Sequence, residues 1–124
     1  MGMTLAGKEL IAKALMGDSF NNYDNTNGHL GVGDSNTAFD ETQTDLQAAT
    51  NKLRKGMEAT FPTRTVREIT WKSSFGASEA NWEWLENGVF NASSAGDMLA
   101  RDVENLGTKT SPAVWVFTKK GTIT

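Results

Sequence analysis

Val66-Arg67-Glu68-Ile69-Thr70-Trp71-Lys72-Ser73-Ser74-Phe75 is the stretch on which the fold turns. In an extended chain Arg67, Ile69, Trp71, Ser73 and Phe75 share one face, while Val66, Glu68, Thr70, Lys72 and Ser74 share the other. One side is apolar and the other is wettable, which is the pattern of a strand covered on one face. The same period of two recurs on either side of it. Residues 82–90 place Trp82 and Trp84 on one face and Leu85 and Val89 on the opposite one, with Asn87-Gly88 permitting a turn or bulge. Near the end, Val114, Val116 and Thr118 alternate with Trp115, Phe117 and Lys119 in a long strand. Upstream, residues 29–33 form a short strand stopped by Asp34-Ser35-Asn36. Residues 54–61 read as another strand, with Met57, Ala59 and Phe61 on one face and Pro62 closing it. The small polar residues 91–97 join the 82–90 strand to residues 98–103 as a hairpin. Strands this closely spaced predict a mainly β chain, an antiparallel β-sandwich or jelly-roll-like domain.

Before these strands lies one helix. Leu5, Leu10, Ile11, Ala14 and Leu15 fall largely on one side of a 3.6-residue repeat, with Thr4 placed to cap it and Gly17 to stop it. Gly7 weakens the first turn by roughly 1 kcal/mol relative to Ala, so the helix needs a surface to dock against. The Asn-rich residues 18–28 form a loop. Residues 40–49 could form one or two helical turns anchored by Leu46, although their Thr and Asp content works against it. The expectation is one domain over residues 1–124, with a docking helix at about 4–16 and a β-rich body at about 29–124.

Composition narrows the chemistry. There is no cysteine, which excludes disulfides and thiolate metal sites, and there is one histidine, which cannot build a conventional metal site alone. A net charge of −3 gives no general attraction for phosphate, and the only basic cluster, Lys52, Arg54 and Lys55, has Glu58 beside it. Specific nucleic-acid binding is therefore not expected. Lys8, Glu9 and Lys13 interrupt the apolar positions of residues 1–16, so these form neither a signal core nor a membrane span, and the chain is expected to be soluble and made in the cytoplasm.

Gly31-Val32-Gly33-Asp34-Ser35-Asn36 opens like a dinucleotide fingerprint, but Asn36 replaces the third glycine and no strong helix follows. Asp34, Asp40, Glu41 and Asp45 do not have the spacing of an EF-hand and read as a solvated acidic loop. Glu79, Glu83 and Glu86 could supply paired carboxylates for glycoside hydrolysis, yet alternation puts Glu83 and Glu86 on opposite faces, as surface carboxylates. No catalytic, cofactor or metal residue is assigned, and the chain reads as a non-enzyme that works through its surfaces. The candidate interface residues are Leu5, Leu10, Ile11 and Leu15 on the helix, and Trp82 or Trp84 among the four tryptophans, since Asn81, Glu83 and Glu86 surround that pair. A low hydrophobic fraction, 38%, suggests a modest core that neighbouring copies could extend.

Several blocks carry a family resemblance. They are Leu30-Gly31-Val32-Gly33-Asp34 with Thr37-Ala38-Phe39, Thr42-Gln43-Thr44-Asp45-Leu46 leading into Lys52-Leu53-Arg54-Lys55-Gly56-Met57, and Ala80-Asn81-Trp82-Glu83-Trp84 with Gly88-Val89-Phe90-Asn91-Ala92. Gly96-Asp97-Met98-Leu99 and Leu106-Gly107-Thr108-Lys109-Thr110 complete the set. Through them the chain resembles a family of small tailed-bacteriophage virion structural proteins. The resemblance implies a non-enzymatic particle component, but similar blocks look like those of tail-fibre or baseplate modules as well as of head-associated proteins. At 124 residues there is no length for a fibre shaft, which favours a capsid decoration or cement protein on the virion surface. Its expected partners are the major capsid protein and further copies of itself. Tail proteins, with a possible glycan-binding role, are the alternative.

Overall fold

The structure, a computed structural model, describes residues 1–124. It contains one helix, α1 (Leu5–Met16), and seven strands: β1 (His29–Gly33), β2 (Lys52–Gly56), β3 (Thr63–Thr65), β4 (Glu68–Phe75), β5 (Glu83–Phe90), β6 (Met98–Thr108) and β7 (Trp115–Thr122). A four-stranded sheet in the order β2-β1-β5-β6 faces a three-stranded sheet in the order β3-β4-β7, and every pairing is antiparallel. The molecule is the mainly β sandwich that the alternation predicts.

The core lies between the sheets. Leu30, Val89, Leu99 and Ala100 meet Trp71, while Val32 and Trp84 meet Phe75 and Ala80. Strand β4 follows the sequence reading, with Trp71, Ser73 and Phe75 all buried. Trp84 sits among Phe75, Trp115 and Phe117 at centroid distances of 5.0, 5.0 and 6.0 Å, each pair nearly edge to face. That geometry aligns ring edges with neighbouring π faces. Truncating Trp71 or Phe75 to alanine would cost about 3–5 kcal/mol.

Strand β5 departs from simple alternation. The β5–β6 register shifts between Trp84 and Glu86, so Trp84 and Val89 both face the core although five positions separate them in sequence. The expected opposition of Trp84 to Val89 is therefore corrected by an irregularity at Leu85. Asn87-Gly88 continues the strand without a turn.

Other elements differ from the sequence reading too: β6 runs on to Thr108 rather than ending at residue 103, and the short β3 has no counterpart in that reading. Strand β2 covers residues 52–56 rather than 54–61, because the chain bends after Gly56 and the Glu58 N–H donates to the Lys72 carbonyl at 2.8 Å. Residues 40–49 form turns and not a helix. There the Asp40 carboxylate accepts from the Thr42 N–H at 2.8 Å and the Asp45 carboxylate from the Leu46 N–H at 2.8 Å, local bonds that compete with a helical ladder.

Helix α1 is capped at both ends as its sequence suggests. The Thr4 hydroxyl accepts from the Gly7 N–H at 2.9 Å, and Gly17 adopts the left-handed conformation with φ of 73°. The same Thr4 hydroxyl donates to the Met98 carbonyl, which ties the helix start to β6. Gly7 has a packing reason: a Cβ there would lie 3.0 Å from Leu99 Cα and Cδ1. Glycine lets the helix lie directly on β6. Residues 1–4 also run along the β6 edge, with a Met3–Ala100 bridge and the Arg101 N–H donating to the Gly2 carbonyl at 2.7 Å.

Candidate interaction surface and the ion pair behind it

The candidate docking residues of the helix divide by face. Leu10 is 4% exposed and belongs to the core beside Leu99, so its side chain offers nothing to a partner. Ile11 is half-buried at the rim of an apolar cleft of about 130 Å³ that also meets Phe20, Ile69 and Trp71. Leu5 and Leu15 remain outward at 47% and 83% exposure, together with Met16, which the helical stripe alone did not single out. One short helix thus uses one face to dock on its own sheet and leaves three large apolar side chains in water.

The tryptophans divide as well. Trp84 is 2% exposed, and its indole N–H donates to the Ala80 carbonyl at 2.9 Å, so it is a core residue. Trp82 is half-buried and packs against the Val32, Phe75 and Trp84 cluster from outside, with its indole nitrogen enclosed and unpartnered. Of the pair, only Trp82 presents ring surface to solvent.

The basic cluster is committed to acidic partners. Lys52 and Arg54 both reach Asp45, at 3.3 and 3.2 Å, and Lys55 reaches Glu79 at 2.9 Å, so each member of the basic cluster has an acidic partner. Arg54 also donates to the carbonyls of Ala92 and Ala95 and lies 3.7 Å from the centre of the Phe90 ring. Glu41 pairs with Lys8 at 3.0 Å. His29 Nδ1 lies 2.8 Å from the Asn27 carbonyl, and no three His, Cys, Asp or Glu side chains are grouped to hold a metal ion.

Glu86 corrects the sequence reading most sharply. Expected as a surface carboxylate, it is fully buried, whereas Glu83 is exposed as expected. On the outer face of the four-stranded sheet, Glu86 pairs with Arg101 at 2.8 Å, and both side chains are shut off from solvent. The lid is the segment 34–51. Glu86 accepts from the N–H groups of Gln47 at 2.7 Å and Ala48 at 2.8 Å, with a longer contact to the Ser35 N–H at 3.4 Å. Arg101 donates onward to the Thr37 carbonyl at 2.9 Å and the Gln43 side-chain oxygen at 3.1 Å. Leu46 completes the attachment by packing on Phe90 and Met98. Gly31 makes room beneath it, since a Cβ there would stand 2.7 Å from the Phe90 ring and 3.1 Å from Leu46 Cδ1.

At its centre a long irregular segment is thus fastened to the sheet by a buried ion pair and a leucine, in addition to the exposed pairs of Asp45 and Glu41. The groups that replace water around both charges come from the segment itself, its backbone and the Gln43 side chain, which fixes its path. Nothing in local sequence reveals this. The one available signal is the glycines of β1: Gly33 stands opposite Glu86 and Gly31 opposite Gly88, leaving room on the outer face.

Asp45 and Asp102 are among the carboxyls held below their usual range, with Asp40 and Glu79. Burial works against ionisation of Asp45, but the Leu46 N–H and Arg54 outweigh it. Burial likewise opposes ionisation of Asp102, and Lys119 together with the Gly2 N–H outweighs it. The Asp102–Lys119 pair bridges β6 and β7, one strand from each sheet. Tyr23 is shifted the other way: burial, with the nearby Asp97 charge, pushes its phenol well above the usual value, and its hydroxyl donates to the Asp97 carbonyl at 3.0 Å.

No helix is long and apolar enough to cross a membrane. Compared with known proteins, the chain matches no family model, no curated protein and no solved structure.

Proposed function

We propose that this chain is a non-enzymatic structural protein of a bacteriophage virion, acting as a decoration or cement protein on the capsid lattice. The observation that carries the reading is the split helix: Leu10 and Gly7 fasten α1 to β6, while Leu5, Leu15 and Met16 stay exposed on a rigid platform. A platform of this kind suits adhesion to a neighbouring protein. The family resemblance of the sequence blocks points to the particle, and the ion pairs that consume the charged clusters are consistent with work done by surfaces. Binding to the mature lattice would stabilise it as any ligand stabilises the state it prefers, and repeated weak contacts would suffice through avidity.

The test uses purified virions with and without this protein. Particles lacking it should release DNA at a lower temperature, and replacing Leu15 and Met16 by Asp should weaken its attachment while leaving the isolated protein folded. Copy number by quantitative gel densitometry separates this reading from a tail component. Hundreds of copies per particle support the head assignment, and a number near the tail symmetry would overturn it.

A further inference from the structure

A two-sheet sandwich has four sheet edges, here β2, β6, β3 and β7. An unpaired edge invites pairing with another chain unless it is guarded. Strand β2 carries Lys52, Arg54 and Lys55, β3 has only three residues, and the first part of β6 is covered by residues 1–4 while its later part is irregular, with a register shift between Val103 and Gly107. Strand β7 is different. It runs in unbroken register along β4 for eight residues, and no backbone or side-chain hydrogen bond reaches its other edge. Of its two lysines, Lys119 is buried against Asp102 and only Lys120 guards the edge, in the second half; Val116 in the first half is 54% exposed, and Val114 just before the strand is 58% exposed.

The direction of the free groups follows from the ladder. The Ile123 N–H donates to the Arg67 carbonyl, and strand groups alternate sides, so Trp115, Phe117, Lys119 and Gly121 point theirs towards β4. The N–H and C=O of Val116 and Thr118 point outward.

We infer that this edge pairs with β7 of a second copy of the chain, antiparallel about a two-fold axis through Val116, joining the two three-stranded sheets into one of six strands. The sequence of the edge is self-complementary in that register. Val116 meets Val116 of the partner subunit on the outer face. On the inner face Trp115 lies opposite Phe117 of the partner subunit and Phe117 opposite Trp115 of the partner subunit, an aromatic pair made twice from rings that are half-buried in the single chain. The free charge is compatible with the same arrangement: Lys120 diverges to face Pro112 of the partner subunit, whereas sliding the axis to Lys120 would set two ammonium groups against each other. Pro112, which lacks an N–H, ends the pairing just where the lysines begin. This interface does not depend on the role proposed above, since an unguarded edge calls for a partner whatever the protein does.

Light scattering coupled to gel filtration tests it on the intact protein. The expected mass at tens of micromolar is twice 13.5 kDa. Val116→Lys, on an exposed outward side chain, should give a folded monomer by placing two ammonium groups across the axis, and Val116→Glu should do the same. Mixing those two variants should restore the dimer as a heterodimer. Val116→Pro, which removes an outward N–H and leaves the β4 ladder intact, should also yield monomer with an unchanged circular dichroism spectrum. A monomeric wild-type protein, an assembly that survives the charged substitutions, or a mixture of the Lys and Glu variants that stays monomeric would each overturn the inference.

Discussion

Replacing Glu86 with glutamine removes one charge and no volume, and its effect can be worked out from the ladder of donors around the carboxylate. One oxygen receives Arg101 and the Gln47 N–H, and the other receives the Ala48 N–H and the more distant Ser35 N–H. Every neighbour donates. Whichever way the amide is turned, its NH₂ therefore faces groups that can only repel it, and the Arg101 guanidinium is left charged in a site with no solvent contact. Arg101 already has one unpartnered nitrogen, Nη2, so there is no spare acceptor to absorb the loss. Breaking one side of a buried pair in this way costs about 3–5 kcal/mol. For a chain of this size that is a fall in Tm of roughly 10–20 °C. Differential scanning calorimetry reads the transition, and limited proteolysis should show cleavage within residues 34–51 before the rest of the chain. A variant within about 1 kcal/mol of wild type, with that segment still protected, would refute the claim that Glu86 holds the segment in place.

Gly31→Ala should destabilise by about 1–3 kcal/mol in chemical denaturation, because its Cβ would press on Phe90 and Leu46 and lift the same segment. Asp102 has a depressed folded pKa, so its contribution is fully present above the ordinary value of 3.8 and is lost as pH falls through the lowered one. Urea midpoints measured down the acid range should therefore drop, and Asp102→Asn should flatten that drop. Tyr23, the single tyrosine, has a raised folded pKa, so its stabilisation is present below the usual value of about 10 and disappears as pH climbs past it. Absorbance at the tyrosinate band should stay silent until the chain unfolds, and ionisation of the folded protein at the ordinary value would contradict its burial.

How much of this was legible in the sequence depends on who covers each element. Strand β4 is covered on one face by the opposing sheet, so alternation alone put Trp71 and Phe75 together on the face that the fold buries. Strand β5 is covered on both faces, by the opposing sheet inside and by residues 34–51 outside, and its irregularity at Leu85 reverses the pattern midway. Period-two reasoning therefore exposed Glu86 when the fold buries it. The helix was readable because its caps are local, but the division of its apolar stripe into a docked Leu10 and an outward Leu15 depends on the path of β6, far along the chain. Residues 40–49 misled because Leu46 suggested a helical anchor while its neighbours bonded to their own backbone.

The attachment of α1 to β6 also orders events during synthesis. Thr4 finds its hydrogen-bond partner at Met98, and Gly2 finds its own at Asp102, after a separation of 100 residues. Helix α1, made before all seven strands, must therefore wait for its seat, with Leu10 uncovered throughout translation of the intervening strands. A chaperone that captures nascent apolar helices would find α1 unseated until the hairpin of β5 and β6 closes.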